Sequence, residues 1–147
     1  MREPSTTFLR VIINRIARMA KSPSYFGTGD LLYFSEVQII DVMGNNPEIN
    51  ITELSNILGI TKGTASPVVN TLAGRGYLKK LHASDDSRVV RLKLTEKGEV
   101  ARNGLEKQAK EYASEYAREF TAAQWDTFNN IIARLEVFVD NKLKKGT

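Results

Sequence analysis

The chain has 147 residues, the scale of one domain, with 41% apolar and 26% charged side chains: a globular composition able to build a core without staples. No apolar run exceeds four residues (Leu31–Phe34) and the first fifteen mix Arg2, Glu3, Arg10 and Arg15 among apolar positions, so neither a membrane span nor a signal peptide is expected and the cytoplasm is the default. There is no cysteine and a single histidine, His82, which removes disulfides, thiolate chemistry and histidine-cluster metal sites; no catalytic residue, metal or cofactor is expected.

The net charge of +4 is mild but unevenly placed. Residues 1–60 carry five basic and six acidic side chains, and residues 99–147 carry eight of each. Residues 61–98 carry eight basic and only three acidic ones. On charge alone this basic stretch fits either a polyanion partner or a solvated face.

Leu9, Ile12, Ile13, Ile16, Ala17 and Ala20 recur at three and four residues and predict an amphipathic helix over 5–21. Residues 22–34 read as a connecting loop, unusually aromatic for one, with Tyr25, Phe26, Tyr33 and Phe34. Ser35 is expected to start the next helix in a capping box with Gln38, with Val37, Ile39, Ile40 and Met43 buried. After Gly44–Pro47 the segment Ile49–Ile51 suits a very short strand, and Thr52 is expected to cap a helix carrying Leu54, Ile57 and Leu58. Gly59 breaks that helix, and Thr61 caps another running to about Ala73.

From Tyr77 the period changes to two, so Val90, Leu92 and Leu94 form a half-buried strand whose antiparallel partner is Leu78–His82, with a polar tip over 83–87. His82 reads as a strand residue. Thr95 caps a long helix to about Arg118, and Thr121 with Gln124 caps a last helix carrying Trp125, Phe128, Ile131, Ile132, Leu135, Phe138 and Val139.

The fold class is therefore mainly α with a small β-hairpin: a winged helix-turn-helix over 35–98, flanked by helices over 5–21 and 99–147 within one domain. In the helix-turn-helix, Gly59 takes the left-handed turn, Leu58 and Ile60 lock the two helices, Ser55 and Ala65 let them cross closely, and Val68 returns to the core. The outward face of the second helix then carries Lys62, Gly63, Thr64, Ser66, Asn70 and Thr71, small polar side chains suited to phosphates and base edges in a major groove. Arg75, Lys79, Lys80, Arg88 and Arg91 supply cations around it, with Arg88 near the hairpin tip and able to enter a narrow minor groove. The alternative for the helical pair is an ordinary αα-hairpin; the basic hairpin that follows favours nucleic acid, because a winged helix is a compound motif.

The run Glu53–Thr61, Leu72 with Arg75-Gly76-Tyr77-Leu78, Asp86-Ser87-Arg88 and Leu94-Thr95-Glu96-Lys97-Gly98 resembles the multiple-antibiotic-resistance regulator (MarR) family, over about residues 35–98. The resemblance implies a homodimeric transcription factor that binds a pseudo-palindromic duplex operator, usually represses, and in many members is released by small phenolic or other aromatic anions. It implies that Asp86 braces the wing, that Arg88 enters the minor groove beside Ser87, and that Thr64, Ser66 and Asn70 face the major groove. Many members have basic residues where this chain has Pro67 and, nearby, Thr71, and another wing arginine where it has Ser87. Residues 63–67 are similar to the family's organic-hydroperoxide sensors, whose cysteine chemistry this chain lacks. The flanking helices are expected to dimerise, setting two reading heads about 34 Å apart. Tyr25, Phe26 and Tyr33, between the dimer helix and the head, are candidate effector contacts, with plain core packing the simpler alternative. The competing function is a winged helix that docks an acidic protein; no motif supports an enzyme.

Overall fold

The computed structural model describes residues 14, 15, 17, 18, 21–82 and 90–145. Of the helix predicted over 5–21, residues 14, 15, 17 and 18 are described and are helical; the wing tip, with Asp86, Ser87 and Arg88, lies outside the described residues. The elements in order are β1 (Ser24–Tyr25), β2 (Leu31–Leu32), α1 (Phe34–Asn45), α2 (Ile51–Leu58), α3 (Lys62–Gly74), β3 (Leu78–His82), β4 (Val90–Leu94), α4 (Glu96–Ala117) and α5 (Ala122–Lys145). The chain divides into two compact units, one ending at Lys107 and the other beginning at Gln108.

In the first unit, α1, α2, α3 and the β3–β4 hairpin surround one core of Leu32, Val37, Ile39, Ile40, Met43, Leu54, Val69, Leu72, Tyr77, Leu78, Leu92 and Ala101. All four predicted α1 positions are buried there. The hairpin is antiparallel and pairs Leu78 with Leu94, Lys80 with Leu92 and His82 with Val90, as the period-two pattern requires. The expected strand at Ile49–Ile51 is reduced to a single bridge between Asn50 and Arg91, with the Leu92 amide donating to the Ile49 carbonyl at 2.8 Å.

Several local expectations are corrected. Residues 22–34 are not simply loop: β1 and β2 pair antiparallel, Ser24 with Leu32 and Tyr25 with Leu31. Helix α1 starts one residue early, and its first turn is closed by Glu36 rather than Gln38, the Tyr33 amide donating to the Glu36 carboxylate at 2.8 Å. Helix α2 is capped by Asn50, not Thr52; the Asn50 side chain accepts from the amides of Thr52 and Glu53, and Glu53 returns a bond to the Asn50 amide. Asn places its oxygen on two orphan amides at once, and the reciprocal Glu53 bond makes the box complete. Ile57 and Ile60 are exposed; Ala65, Val69 and Leu72 are the buried residues of α3, and Val68 packs against the core half-buried.

The second unit holds the end of α4 and α5. Tyr116, Phe120, Trp125 and Phe128 form one aromatic cluster, with Tyr116 edge-on to the other three and Trp125 stacked on Phe128. Thr121 and Gln124 make the predicted reciprocal cap at the start of α5. Beyond the cluster, Ile131, Leu135, Val137, Phe138 and Val139 are exposed, as is Tyr112 of α4. Among the described residues no helix is long and apolar enough to cross a membrane.

Candidate nucleic-acid interface

The helix pair is built as the sequence suggests. Gly59 stands at φ +64°, a left-handed conformation that other residues adopt at a cost. The Ile60 amide reaches back to the Ser55 carbonyl at 3.0 Å, closing the end of α2. Ser55 and Ala65 are both buried at the crossing of α2 and α3, and the Ser55 hydroxyl donates to the Thr52 carbonyl, so no buried polar group is stranded. Thr61 then caps α3, accepting from the Thr64 amide at 3.1 Å.

Helix α3 presents Lys62, Gly63, Thr64, Pro67, Asn70 and Thr71 to solvent, with Ser66 half-buried. Pro67 lies inside the helix and cannot donate the bond its position calls for. The hydroxyls of this face are already committed as donors or shared: Ser66 donates to the Lys62 carbonyl at 2.7 Å, Thr71 to the Pro67 carbonyl at 3.0 Å, and Thr64 shares a hydrogen bond with Thr61. What Ser66 and Thr71 leave outward are acceptor lone pairs. Asn70 accepts from the Lys80 ammonium at 2.5 Å, the one link among the described residues from this face to a cation of the hairpin.

The hairpin register sorts its cations. Lys79 lies directly opposite Lys93, and Leu81 opposite Arg91, so Lys79, Lys93 and Arg91 share the outer face while Lys80 shares the inner face with Leu78 and Leu92. Arg91 also donates to the carbonyl of Glu48, a residue held at φ +61°, and so ties β4 to the turn before α2. Lys93 was not among the predicted contacts; the alternation of β4 together with the pairing of Lys79 was the signal that places it there.

Arg75, predicted as a DNA contact, is engaged internally. Its guanidinium donates to Glu36 at 2.8 Å and to the Leu31 carbonyl at 2.7 Å, and it lies over the Tyr77 ring at 5.3 Å from the centroid. Glu36 is only 6% exposed, so an unpaired carboxylate there would be costly, and Arg75 pairs it while tying α1 and β2 to the end of α3. Lys97 also lies over this ring, its ammonium 4.5 Å from the centroid and 2.7 Å from Asp30. The Tyr77 hydroxyl donates to Asp30 at 2.9 Å and lies 3.0 Å from the Thr28 hydroxyl. The bonds from Lys97 and then Tyr77 hold the Asp30 carboxyl below its ordinary 3.8, and Asp30 raises Lys97 above 10.5. Gly98 completes the brace: an added Cβ would collide with the Tyr77 carbonyl, so only glycine lets α4 start this close to β3.

Thus Lys62, Thr64, Asn70, Thr71, Lys79 and Arg91 are exposed on α3 and the hairpin, with Ser66 half-buried among them, and Arg75 is withdrawn into the brace. Of the aromatic candidates, Phe26 is a core residue at 6% exposure, whereas Tyr25 and Tyr33 are exposed. The residues that sequence reasoning missed are Glu36, Tyr77, Asp30 and Lys97, none of which announces a partner until the fold brings them together.

A family model described as the MarR family matches residues 32–88, covering α1, the helix pair and β3, the first strand of the hairpin. An uncharacterised HTH-type transcriptional regulator of Bacillus subtilis, YhjH, is 31% identical over 72 residues, which are 49% of this chain; the match spans 41% of the Bacillus protein's length. A MarR transcriptional regulator from Methanosarcina mazei is 26% identical, with a TM-score of 0.72, over 95% of this chain and 99% of that one. FabT of Streptococcus pneumoniae, solved in complex with DNA, has the same fold, with a TM-score of 0.76 at 22% identity, over 92% of this chain and 94% of that one. With the glycine-turned helix pair and the basic hairpin in place, residues 32–88 carry the helix-turn-helix of the MarR family, within a fold that the chain shares with MarR transcriptional regulators.

Proposed function

We propose that this protein is a homodimeric regulator that grips duplex DNA with the outer face of its hairpin and reads the major groove with α3. The observation that carries this is the register of β3 and β4. It sets Lys79, Lys93 and Arg91 together on one solvent-exposed face of the hairpin, and α3, in the same winged unit, exposes small polar side chains. Lys79 opposite Lys93 is unfavourable in the free protein, and a phosphate between them turns that repulsion into attraction. Lys62, Thr64, Ser66, Asn70 and Thr71 are the reading positions on α3, and Asp86, Ser87 and Arg88 act at the wing tip, with Arg88 in the minor groove.

The exposed apolar side chains of α5, among them Leu135 and Phe138, support a second copy as the partner that covers them. A two-fold dimer reads a pseudo-palindromic operator, and a bound repressor of this kind blocks transcription until a small aromatic or phenolic anion releases it; Tyr25 and Tyr33 remain the candidate contacts for that effector. The decisive experiment selects bound duplexes from a random pool and measures affinity against salt. An inverted-repeat motif is expected, with affinity falling at least a hundredfold, roughly, between about 50 and 200 mM salt as counterions are released. Failure to enrich any sequence, or a salt-independent affinity, overturns the reading and favours a winged helix that docks an acidic protein.

A further inference from the structure

The reading helix has an unusual deficit. Between Lys62 and Arg75 it carries no charged side chain, and Arg75 is consumed by Glu36 and the Leu31 carbonyl. Its Ser66 and Thr71 hydroxyls spend their protons on backbone carbonyls. Beyond Lys62 at the helix start, strong donors on this face must therefore come from Asn70, and Asn70 does not act alone. Lys80 stands on the inner side of the hairpin, in register with the buried Leu92, so its chain runs back toward α3 instead of outward with Lys79 and Lys93. There its ammonium meets the Asn70 side-chain oxygen.

An ammonium has only donors, so the amide oxygen must face it and the amide NH2 must face away. That fixes the polarity of the pair. A free asparagine suits adenine, accepting from the N6 amino group while donating to N7. With a cation on its oxygen, an incoming amino group is repelled. The pair instead offers two amide protons and the two remaining ammonium protons, side by side and all donors. In the major groove the base edge with two adjacent acceptors is guanine, through O6 and N7.

Resting on the reading that α3 lies in the major groove, we propose that Asn70 and Lys80 act as one composite donor fork that specifies guanine at a single position of each half-site, in place of the arginine the helix lacks. The wing strand thereby sets the specificity of the helix it follows.

The test uses the full-length protein and duplexes selected from a random pool, then measured in competition at one salt concentration. Wild type is expected to prefer guanine over adenine at one position per half-site by roughly tenfold or more, the discrimination of one good bidentate pair. Asn70→Ala should flatten that position alone. Lys80→Met, which keeps the length of the chain and removes the charge, should move the same position from guanine toward adenine, since Asn70 regains its oxygen. A purely structural or phosphate-gripping Lys80 would weaken all sequences alike and leave the preference intact. If wild type enriches a motif but neither variant changes base preference at a shared position, or if that position is adenine in wild type, the fork is wrong and the DNA-reading function stands. If wild type enriches no motif, both fall together.

Discussion

Arg75 and Asp30 illustrate how much a single side chain's meaning depends on what it meets. Arg75 has the residue type and position of a phosphate contact, yet its side chain is 30% exposed and its guanidinium is shared between Glu36 and the Leu31 carbonyl. Arg75→Ala should therefore act on stability: it leaves the buried Glu36 carboxylate with only the Tyr33 amide, and about 2 kcal/mol of stability should be lost, somewhat less than for a fully buried pair because the arginine side is partly solvated. Urea melts would show this as a lower midpoint, while the salt dependence of DNA binding stays unchanged; a reduced salt slope at full stability would make Arg75 a phosphate contact after all. Asp30 makes a prediction about pH. Its folded carboxyl is held below the ordinary 3.8 by Lys97 and Tyr77. The unfolded chain thus takes up this proton first, so Asp30's contribution is fully present above 3.8 and is lost as pH falls through its lower folded value. Asp30→Asn should flatten stability against pH below about 4 relative to wild type, as thermal melts in that range would reveal.

Among the elements, the hairpin carries a like-charge pair that costs stability and, on the proposed function, supplies grip on DNA. Lys79 and Lys93 face each other across β3 and β4, and like charges directly opposite cost roughly 0.2–1 kcal/mol. The double substitution Lys79→Ala, Lys93→Ala should raise the unfolding midpoint slightly while lowering operator affinity, with the slope of log affinity against log salt shallower by up to about two per protomer. Opposite signs in the two measurements separate a binding surface from a solvated one; equal or unchanged values in both would assign the pair no role in DNA. Helix α3 shows a related compromise. Pro67 breaks its hydrogen-bond ladder, and the Thr71 hydroxyl donates to the Pro67 carbonyl one turn on.

At the scale of the molecule, each compact unit has its own character. The first closes a core around Tyr77, Leu54 and Ile40 with little apolar surface to spare on α1 and α3. The second ends in a helix whose Leu135, Val137, Phe138 and Val139 are exposed, Phe138 by 58%. Large apolar side chains in that number are rarely left to water by a stable monomer. Phe138→Glu should shift the protein from dimer to monomer in sedimentation velocity, and operator affinity should fall with it because the two half-sites are no longer bound together. A wild-type protein that sediments as a monomer at micromolar concentration would defeat the dimer proposal outright.

The helices, the β3–β4 hairpin and the helix-turn-helix were legible in the sequence because they follow from local rules; the β1–β2 pair was not. Periods of 3.6 and two mark α1 and β4, Thr61 and Thr121 cap their helices with their own side chains, and Gly59 turns left-handed because it lacks a Cβ. Local ambiguity caused the misses near them: Asn50 and Thr52, or Glu36 and Gln38, compete for the same cap within two residues, and only the observed backbone decides. The brace belongs to tertiary structure alone. Arg75 and Glu36 are 39 residues apart, and Tyr77 and Asp30 are 47 apart. Charge and hydrogen-bonding capacity are written in the sequence, but which opposite group neutralises them is fixed only when packing brings α1, β2, α3 and α4 together. The same holds for Lys79, Lys80 and Lys93: alike in composition, they are divided between an outward surface and a helix-facing one solely by the pleat of the hairpin.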